Sequence, residues 1–118
     1  MLIMYYQTKI AIPIFQKTTD EVIAVAEDCI RKGADILEFR VDGLENPNLK
    51  DITQTITEIN FPMIITNRIE SEGGSFKGSE DERINILKGC ADLVEYVDVE
   101  LRTDDIYIEE LKDYNAKL

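Results

Sequence analysis

A short apolar run followed by a longer amphipathic stretch recurs four times along this chain, and that alternation restricts its fold more than any other feature. Thr8 to Ile14, Asp35 to Asp42, Pro62 to Arg68 and Leu93 to Leu101 are short, rich in aliphatic residues, and read as strands. The segments between them carry helical spacing. Thr18-Thr19-Asp20-Glu21 has the form of a capping box ahead of Val22, Ala26, Cys29 and Ile30, and Gly33 stands where that helix should end. Asn48 to Ile59 places Leu49, Ile52, Ile56 and Ile59 on one face. Ser79-Glu80-Asp81-Glu82 is a second capping box, opening a helix with Ile84, Leu87, Lys88 and Ala91 on one side. Thr103 or Asp104 can cap a fourth helix carrying Ile108, Leu111 and Lys112.

Each strand–helix unit takes about 25 to 30 residues, the length of a parallel crossover. The expectation is one α/β domain over residues 1–118, ordered β-α-β-α-β-α-β-α, with Asn115-Ala116-Lys117-Leu118 approaching a fifth strand. Two architectures fit. One is an open, doubly wound sheet. The other is the (βα)4 half of a TIM-type (β/α)8 barrel, since a whole barrel runs to about 250 residues. Periodicity leaves both open.

Charge narrows the partners. The net charge of −11 argues against nucleic acid and anionic membranes, both of which need basic surface. A small anionic ligand would also have to be drawn in by local arginines. No apolar run approaches the roughly 20 residues of a membrane span. The apolar opening Met1 to Tyr6 lacks a basic stretch and a cleavage site, so a cytoplasmic protein without a leader is expected. Cys29 and Cys90 each lie in a helical pattern, which predicts two reduced, buried thiols. With no His in the sequence they cannot build an ordinary zinc site, and no metal is expected.

The strands carry an unusual polar layer. Leu37, Phe39 and Val41 alternate with Glu38, Arg40 and Asp42; Met63 and Ile65 with Ile64, Thr66 and Arg68; Val97, Val99 and Leu101 with Tyr96, Asp98 and Glu100. Buried parallel strands normally read as continuous apolar runs, and a buried charge needs a partner. Three of the five arginines, Arg40, Arg68 and Arg102, fall at strand ends, where ligands of α/β proteins bind. The bland alternative is an ionic layer in which Arg40 bridges Glu38 and Asp98 and holds the strands in register. Asp98 and Glu100 suit that alternative better than Glu38 and Arg68 do. The loop Glu70 to Gly78 lacks the spacing of a phosphate loop; it reads instead as a strand-end loop that brings Glu72 over the site.

These residues resemble a known family. Glu38-Phe39-Arg40-Val41-Asp42 is similar to the E-[WF]-R-[VI]-D segment of the type I 3-dehydroquinate dehydratases. Thr66-Asn67-Arg68 followed by Glu72-Gly73-Gly74 resembles their T-x-R-x-x-x-E-G-G segment, and Asp98-Val99-Glu100-Leu101 their D-[VIL]-E-L segment. The three occur in the family's order, each at a strand end.

The resemblance implies a (β/α)8 barrel of the class I aldolase-like kind, of which this chain is the N-terminal portion, ending before strand five. It implies dehydration of 3-dehydroquinate to 3-dehydroshikimate, with a Lys as Schiff-base nucleophile, a His as general base, and no cofactor. It assigns Glu38, Arg40 and Arg68 to the hydroxyl-bearing ring of the substrate, and Glu72 to the carboxylate that orients the His. Asp98 and Glu100 match a structural polar pair. Pro13 stands where some members place a polar substrate contact. The chain has no His, and none of its eight Lys residues occupies the Schiff-base position. It is therefore expected to be inactive alone, and to meet a second copy of itself or a separate C-terminal half. A flavodoxin-like domain is a further alternative, but Phe15-Gln16-Lys17-Thr18 offers no Gly-rich loop after strand one.

Overall fold

The computed structural model describes residues 9–100 and 103–118. The expected strand residue Thr8, the opening Met1 to Tyr6, and Leu101 and Arg102 lie outside the described residues. The elements follow the expected order: β1 (Ala11–Ile14), α1 (Thr19–Arg31), β2 (Ile36–Arg40), α2 (Leu49–Ile59), β3 (Met63–Thr66), α3 (Glu80–Cys90), β4 (Tyr96–Val97) and α4 (Asp105–Leu111).

Local chemistry sets the helix ends. Thr18 Oγ1 accepts the Glu21 N–H at 3.2 Å, completing one half of the expected capping box. At the other end of α1, Gly33 takes φ 100°. The Ala34 N–H then reaches the Cys29 carbonyl at 3.0 Å and the Gly33 N–H reaches that of Ile30 at 3.2 Å, a Schellman closure. Asn48 caps α2 through the Asp51 N–H, and Asn60 ends it in the left-handed region. The threonines of α2 are accommodated by back-bonding: Thr55 Oγ1 donates to the Asp51 carbonyl at 2.7 Å. The Ser79 box on α3 forms in both directions.

All four strands run parallel, in the spatial order β1-β2-β3-β4. Pro13, Glu38, Ile64 and Tyr96 share one row across the sheet, and Ile14, Phe39, Ile65 and Val97 share the next. The second row, with Leu37 and Met63, is buried against the helices. Each helix packs on the next, α1 on α2, α2 on α3 and α3 on α4. A sheet that grows in chain order under one layer of helices has no reversal of strand order. It is the (βα)4 half of a TIM-type barrel, and the doubly wound and flavodoxin-like alternatives fall away.

Several expectations need adjustment. β4 is two residues long rather than nine, although the Asp98 N–H just beyond it still reaches the Ile65 carbonyl at 2.9 Å. Leu49 is exposed rather than core, although it covers Gly89, where an added Cβ would lie 2.5 Å from Leu49 Cδ1. Lys88, expected on the apolar side of α3, pairs with Glu110. Cys90 is buried, and burial pushes its thiol up to about 12, while Cys29 is only half-buried; both are free. Beyond α4, Lys117 pairs with Tyr96: the Val97 N–H reaches the Lys117 carbonyl at 2.7 Å and the Lys117 N–H reaches that of Glu95 at 2.9 Å. No helix among the described residues is long and apolar enough to cross a membrane.

Phe39 is the largest fully buried side chain among the described residues and sits at the centre of the sheet's helix-facing side. Phe39→Ala is expected to cost about 3–5 kcal/mol. Urea unfolding checks this; a cost below about 1 kcal/mol would show that the core is not closed as described.

Candidate functional site at the strand ends

The helix-free face of the sheet carries the polar layer. Glu38 and Arg40 alternate with Leu37 and Phe39, so both point away from the helices. Glu38 Oε2 accepts the Thr66 hydroxyl at 2.8 Å, which ties β2 to β3 across the bare face. Arg40 does not bridge Glu38 and Asp98, as the bland alternative had it. Its guanidinium forks onto Asp42 instead, with Nε–Oδ1 at 3.0 Å and Nη2–Oδ2 at 2.7 Å. The reason is the short 3-10 turn Val41–Gly43, which folds the Asp42 side chain back toward Arg40. One face of the guanidinium lies over Phe15, 5.3 Å from the ring centroid. The hydrogen bond to Asp42 holds the Arg40 charge firmly, raising its pKa above the ordinary arginine value despite partial burial.

Asp42 is fully buried at its side chain and also accepts the Ser75 N–H at 3.1 Å. It thereby joins the end of β2 to the loop after β3. That loop doubles back on itself. The Phe76 N–H reaches the Arg68 carbonyl at 3.0 Å, the Glu70 N–H reaches that of Phe76 at 3.0 Å, and the Gly74 N–H reaches that of Ile69 at 2.9 Å. Gly73 takes φ 88°, and a Cβ on Gly74 would lie 2.1 Å from the Arg68 carbonyl oxygen. The two glycines are therefore a backbone requirement: one permits the left-handed turn, the other the close approach.

The same fold-back carries Glu72 to a second group of charges. Glu72 stands close enough to Glu100 to raise its pKa, and Arg68 Nε lies 3.4 Å from Glu100 Oε1. Two carboxyl groups in contact can share one proton. Burial, and then the neighbouring Glu72, push Glu100 up to about 7, against the pull of Arg68 and Arg83. Glu100 Oε1 has no hydrogen-bond partner among the described residues. The expected structural pair Asp98–Glu100 is thus divided. Asp98 is exposed, whereas Glu100, beyond the end of β4, joins Arg68 and Glu72.

Arg83 backs this cluster from α3. It is almost wholly buried, forks onto Glu80 at 2.9 and 2.6 Å, and donates to the Asn67 carbonyl at 3.2 Å and the Thr103 hydroxyl at 3.1 Å. Burial opposes its charge, but the bonds to Glu80 more than offset that and hold it above the ordinary arginine value.

Of the residues singled out in the sequence, Glu38 and Arg40 lie together on β2, and Arg68 and Glu72 lie together at the end of β3. Asp42 was placed in the polar layer but given no role, and Arg83 was not singled out. Asp42 had a signal, since it follows Arg40 at the spacing that keeps a strand's side chains on one face. Arg83 had a weaker one: a cation three residues after Glu80, beside the core residue Ile84. No cluster that could hold a metal ion occurs among the described residues. A cavity of about 550 Å3 opens beside the end of β2, lined by Phe15, Asp42, Leu44, Ser75 and Phe76.

Polar side chains gathered at the C-terminal ends of parallel strands, on the face a barrel would enclose, define the strand-end site of a β/α-barrel protein. The comparisons are more specific. A family model described as Type I 3-dehydroquinase matches residues 10–117. The chain is 68% identical over 110 residues to a 3-dehydroquinate dehydratase of Methanobrevibacter smithii, covering 93% of this chain and 49% of that protein. It is 52% identical over 94 residues to one from Methanothermobacter thermautotrophicus, covering 80% and 42%. The type I 3-dehydroquinate dehydratase structure from Clostridium difficile superposes with a TM-score of 0.82 at 31% identity, over 91% of this chain and 46% of that one. The chain belongs to the type I 3-dehydroquinase family, and it spans about half the length of the curated relatives it matches.

Two outcomes are expected. Gly74→Ala forces the Arg68 backbone and the loop apart, at a cost of about 1–3 kcal/mol in urea unfolding; a neutral result would contradict the close approach. Glu100 is held protonated by the fold, with its ordinary value near 4.5 raised to about 7. Its stabilising contribution is complete below about 4.5 and is lost as pH rises through about 7. Thermal melts across that window should fall with pH, and Glu100→Gln, neutral throughout, should flatten the slope. Equal slopes for the two proteins would remove Glu100 as its source.

Proposed function

We propose that this chain supplies the substrate-hydroxyl and base-orienting portion of a type I 3-dehydroquinate dehydratase, a hydro-lyase converting 3-dehydroquinate to 3-dehydroshikimate in aromatic amino acid biosynthesis. The observation that carries the reading is the placement of Glu38 and Arg40 at the end of β2, on the face free of helices, with Arg68 and Glu72 following the end of the adjacent β3. In this reading Glu38 and Arg40 receive the ring hydroxyls, Arg68 lies beside them, and Glu72 orients a His supplied from elsewhere. The Schiff-base Lys must also come from elsewhere, because these 118 residues include no His and no Lys on the site's strand ends. The chemistry needs neither metal nor organic cofactor.

The same reading makes residues 1–118 one domain, the N-terminal portion of a class I aldolase-like barrel, working in the cytoplasm. The free thiols of Cys29 and Cys90 agree with a reducing compartment. A partner is favoured by the sheet itself. The pairing of Lys117 with β4 begins a further strand, and β1 pairs on one side only among the described residues. Such edges recruit further strands. A complementing C-terminal half fits them and also brings the missing His and Lys; a second copy of this chain fits the edges but brings neither.

Enone absorbance tests the reading. The purified chain alone should produce no 3-dehydroshikimate, and borohydride should trap no adduct. Adding the C-terminal half of the Methanobrevibacter smithii relative should restore both. Turnover by the chain alone, or no turnover by the mixture despite a stable complex in light scattering, would overturn it.

A further inference from the structure

Of the two arginines that border the open face, Arg40 is the one whose charge is already answered at close range. Asp42 takes both the Nε–H and one Nη2–H, and a carboxylate that forks onto a guanidinium occupies the edge by which arginine otherwise grips an anion. Phe15 covers one face of the group. Among the described residues no acceptor takes the remaining N–H groups, and the side chain is still about one-quarter exposed. What Arg40 presents toward the open face is therefore a set of N–H donors with little net charge behind them. Glu38 and Asp98 add further negative charge nearby. Donors of that kind suit neutral oxygens, such as hydroxyls, and offer little to a carboxylate or phosphate. Arg68 differs. It is half-exposed, and its contact with Glu100 is a single 3.4 Å approach rather than a fork.

From this geometry we infer that Asp42 is a specificity-determining residue: by occupying the fork of Arg40 it makes the end of β2 a donor site for neutral hydroxyl oxygens and closes it to anions. The arrangement is rigid for a reason visible in the same contacts. Asp42 is buried, and its Oδ2 is also held by the Ser75 N–H, so it cannot turn away to release Arg40 without freeing the loop after β3. An anion arriving at Arg40 would have to displace a carboxylate that is buried at its side chain and held by the Ser75 N–H. Removing the charge while keeping the shape should convert the site. The Asp42→Asn side chain retains one oxygen for the Ser75 N–H but cannot answer a guanidinium with charge, leaving the fork open to an incoming anion. Asp42 itself does not touch the ligand; it acts through Arg40 and is a positioning residue in that sense.

The inference rests on the dehydratase reading only for which hydroxyls are bound, and its test uses no substrate. Nitrogen-labelled chain is titrated with inorganic phosphate while the arginine Nε–H signals are followed by NMR. In the wild-type chain the Arg40 signal should stay in place while that of Arg68 moves. In Asp42→Asn the Arg40 signal should titrate at a phosphate concentration roughly tenfold lower than any that moves it in the wild type. The amides of Phe39 and Leu87 report that the core is unchanged. An Arg40 signal that responds as readily as that of Arg68 in the wild type overturns the inference, as does a folded Asp42→Asn chain that responds no differently from wild type. If Asp42→Asn does not fold, the wild-type comparison of Arg40 with Arg68 decides alone. Enone formation plays no part, so failure here leaves the dehydratase reading standing, and the reverse also holds.

Discussion

Four parallel strands laid down in chain order, with every crossover helix on the same side, leave the other side of the sheet without a cover among the described residues. That constraint governs the rest of the molecule. The covered side can be filled by dispersion and apolar burial alone, and it is: Leu37, Phe39, Met63, Ile65 and Val97 close on Val22, Ile52, Ile84 and Leu87. The uncovered side can hold charge at modest cost because solvent reaches it. Glu38, Arg40 and Tyr96 occupy it, and the charged groups there are joined in pairs across neighbouring strands or within one turn. The site is thus a by-product of topology before it is anything chemical.

What chemistry adds is division of labour among the cations. Arg83 is buried and fully engaged, with Glu80, Asn67 and Thr103 around it, so it holds the end of β3 against α3 and the start of α4. Arg40 is forked onto Asp42 and presents only its outer donors. Arg68 is loosely paired and faces solvent. Three arginines within one small region therefore have three levels of availability, set by how deeply each guanidinium is itself buried and how many of its N–H groups are already taken. The carboxylates follow the same rule. Asp42 meets an arginine fork and an amide, whereas Glu100 meets another carboxyl group and retains its proton to near neutrality.

Much of this was legible in the sequence, and the limits are instructive. Element order, the caps at Thr18 and Ser79, and the face on which Glu38 and Arg40 lie all follow from short-range spacing, which a single chain displays openly. Partner choice does not. Spacing puts Arg40 on one face with Glu38 and Asp42 alike, and only the turn Val41–Gly43 decides between them. The meeting of Glu72 with Glu100 depends on where β4 stops and how the Gly73–Gly74 loop folds back, both of which are matters of tertiary packing. Arg83 was hidden by the same limitation: a buried arginine in a helix looks like a surface arginine until its partners on other elements are known.

The two thiols give the helix layer its own clock. Cys90 sits at the end of α3 in full burial, with its proton held far above the neutral range, so no thiol reagent can meet its thiolate while α3 lies on the sheet. Cys29, half-buried on α1, has no comparable shielding and sets the reference rate in the same molecule. The ratio of the two labelling rates then measures how often the third helix lifts away, which converts a static burial figure into an opening equilibrium for one part of the fold. Because α3 also carries Arg83, each such opening momentarily unfastens the end of β3 from behind.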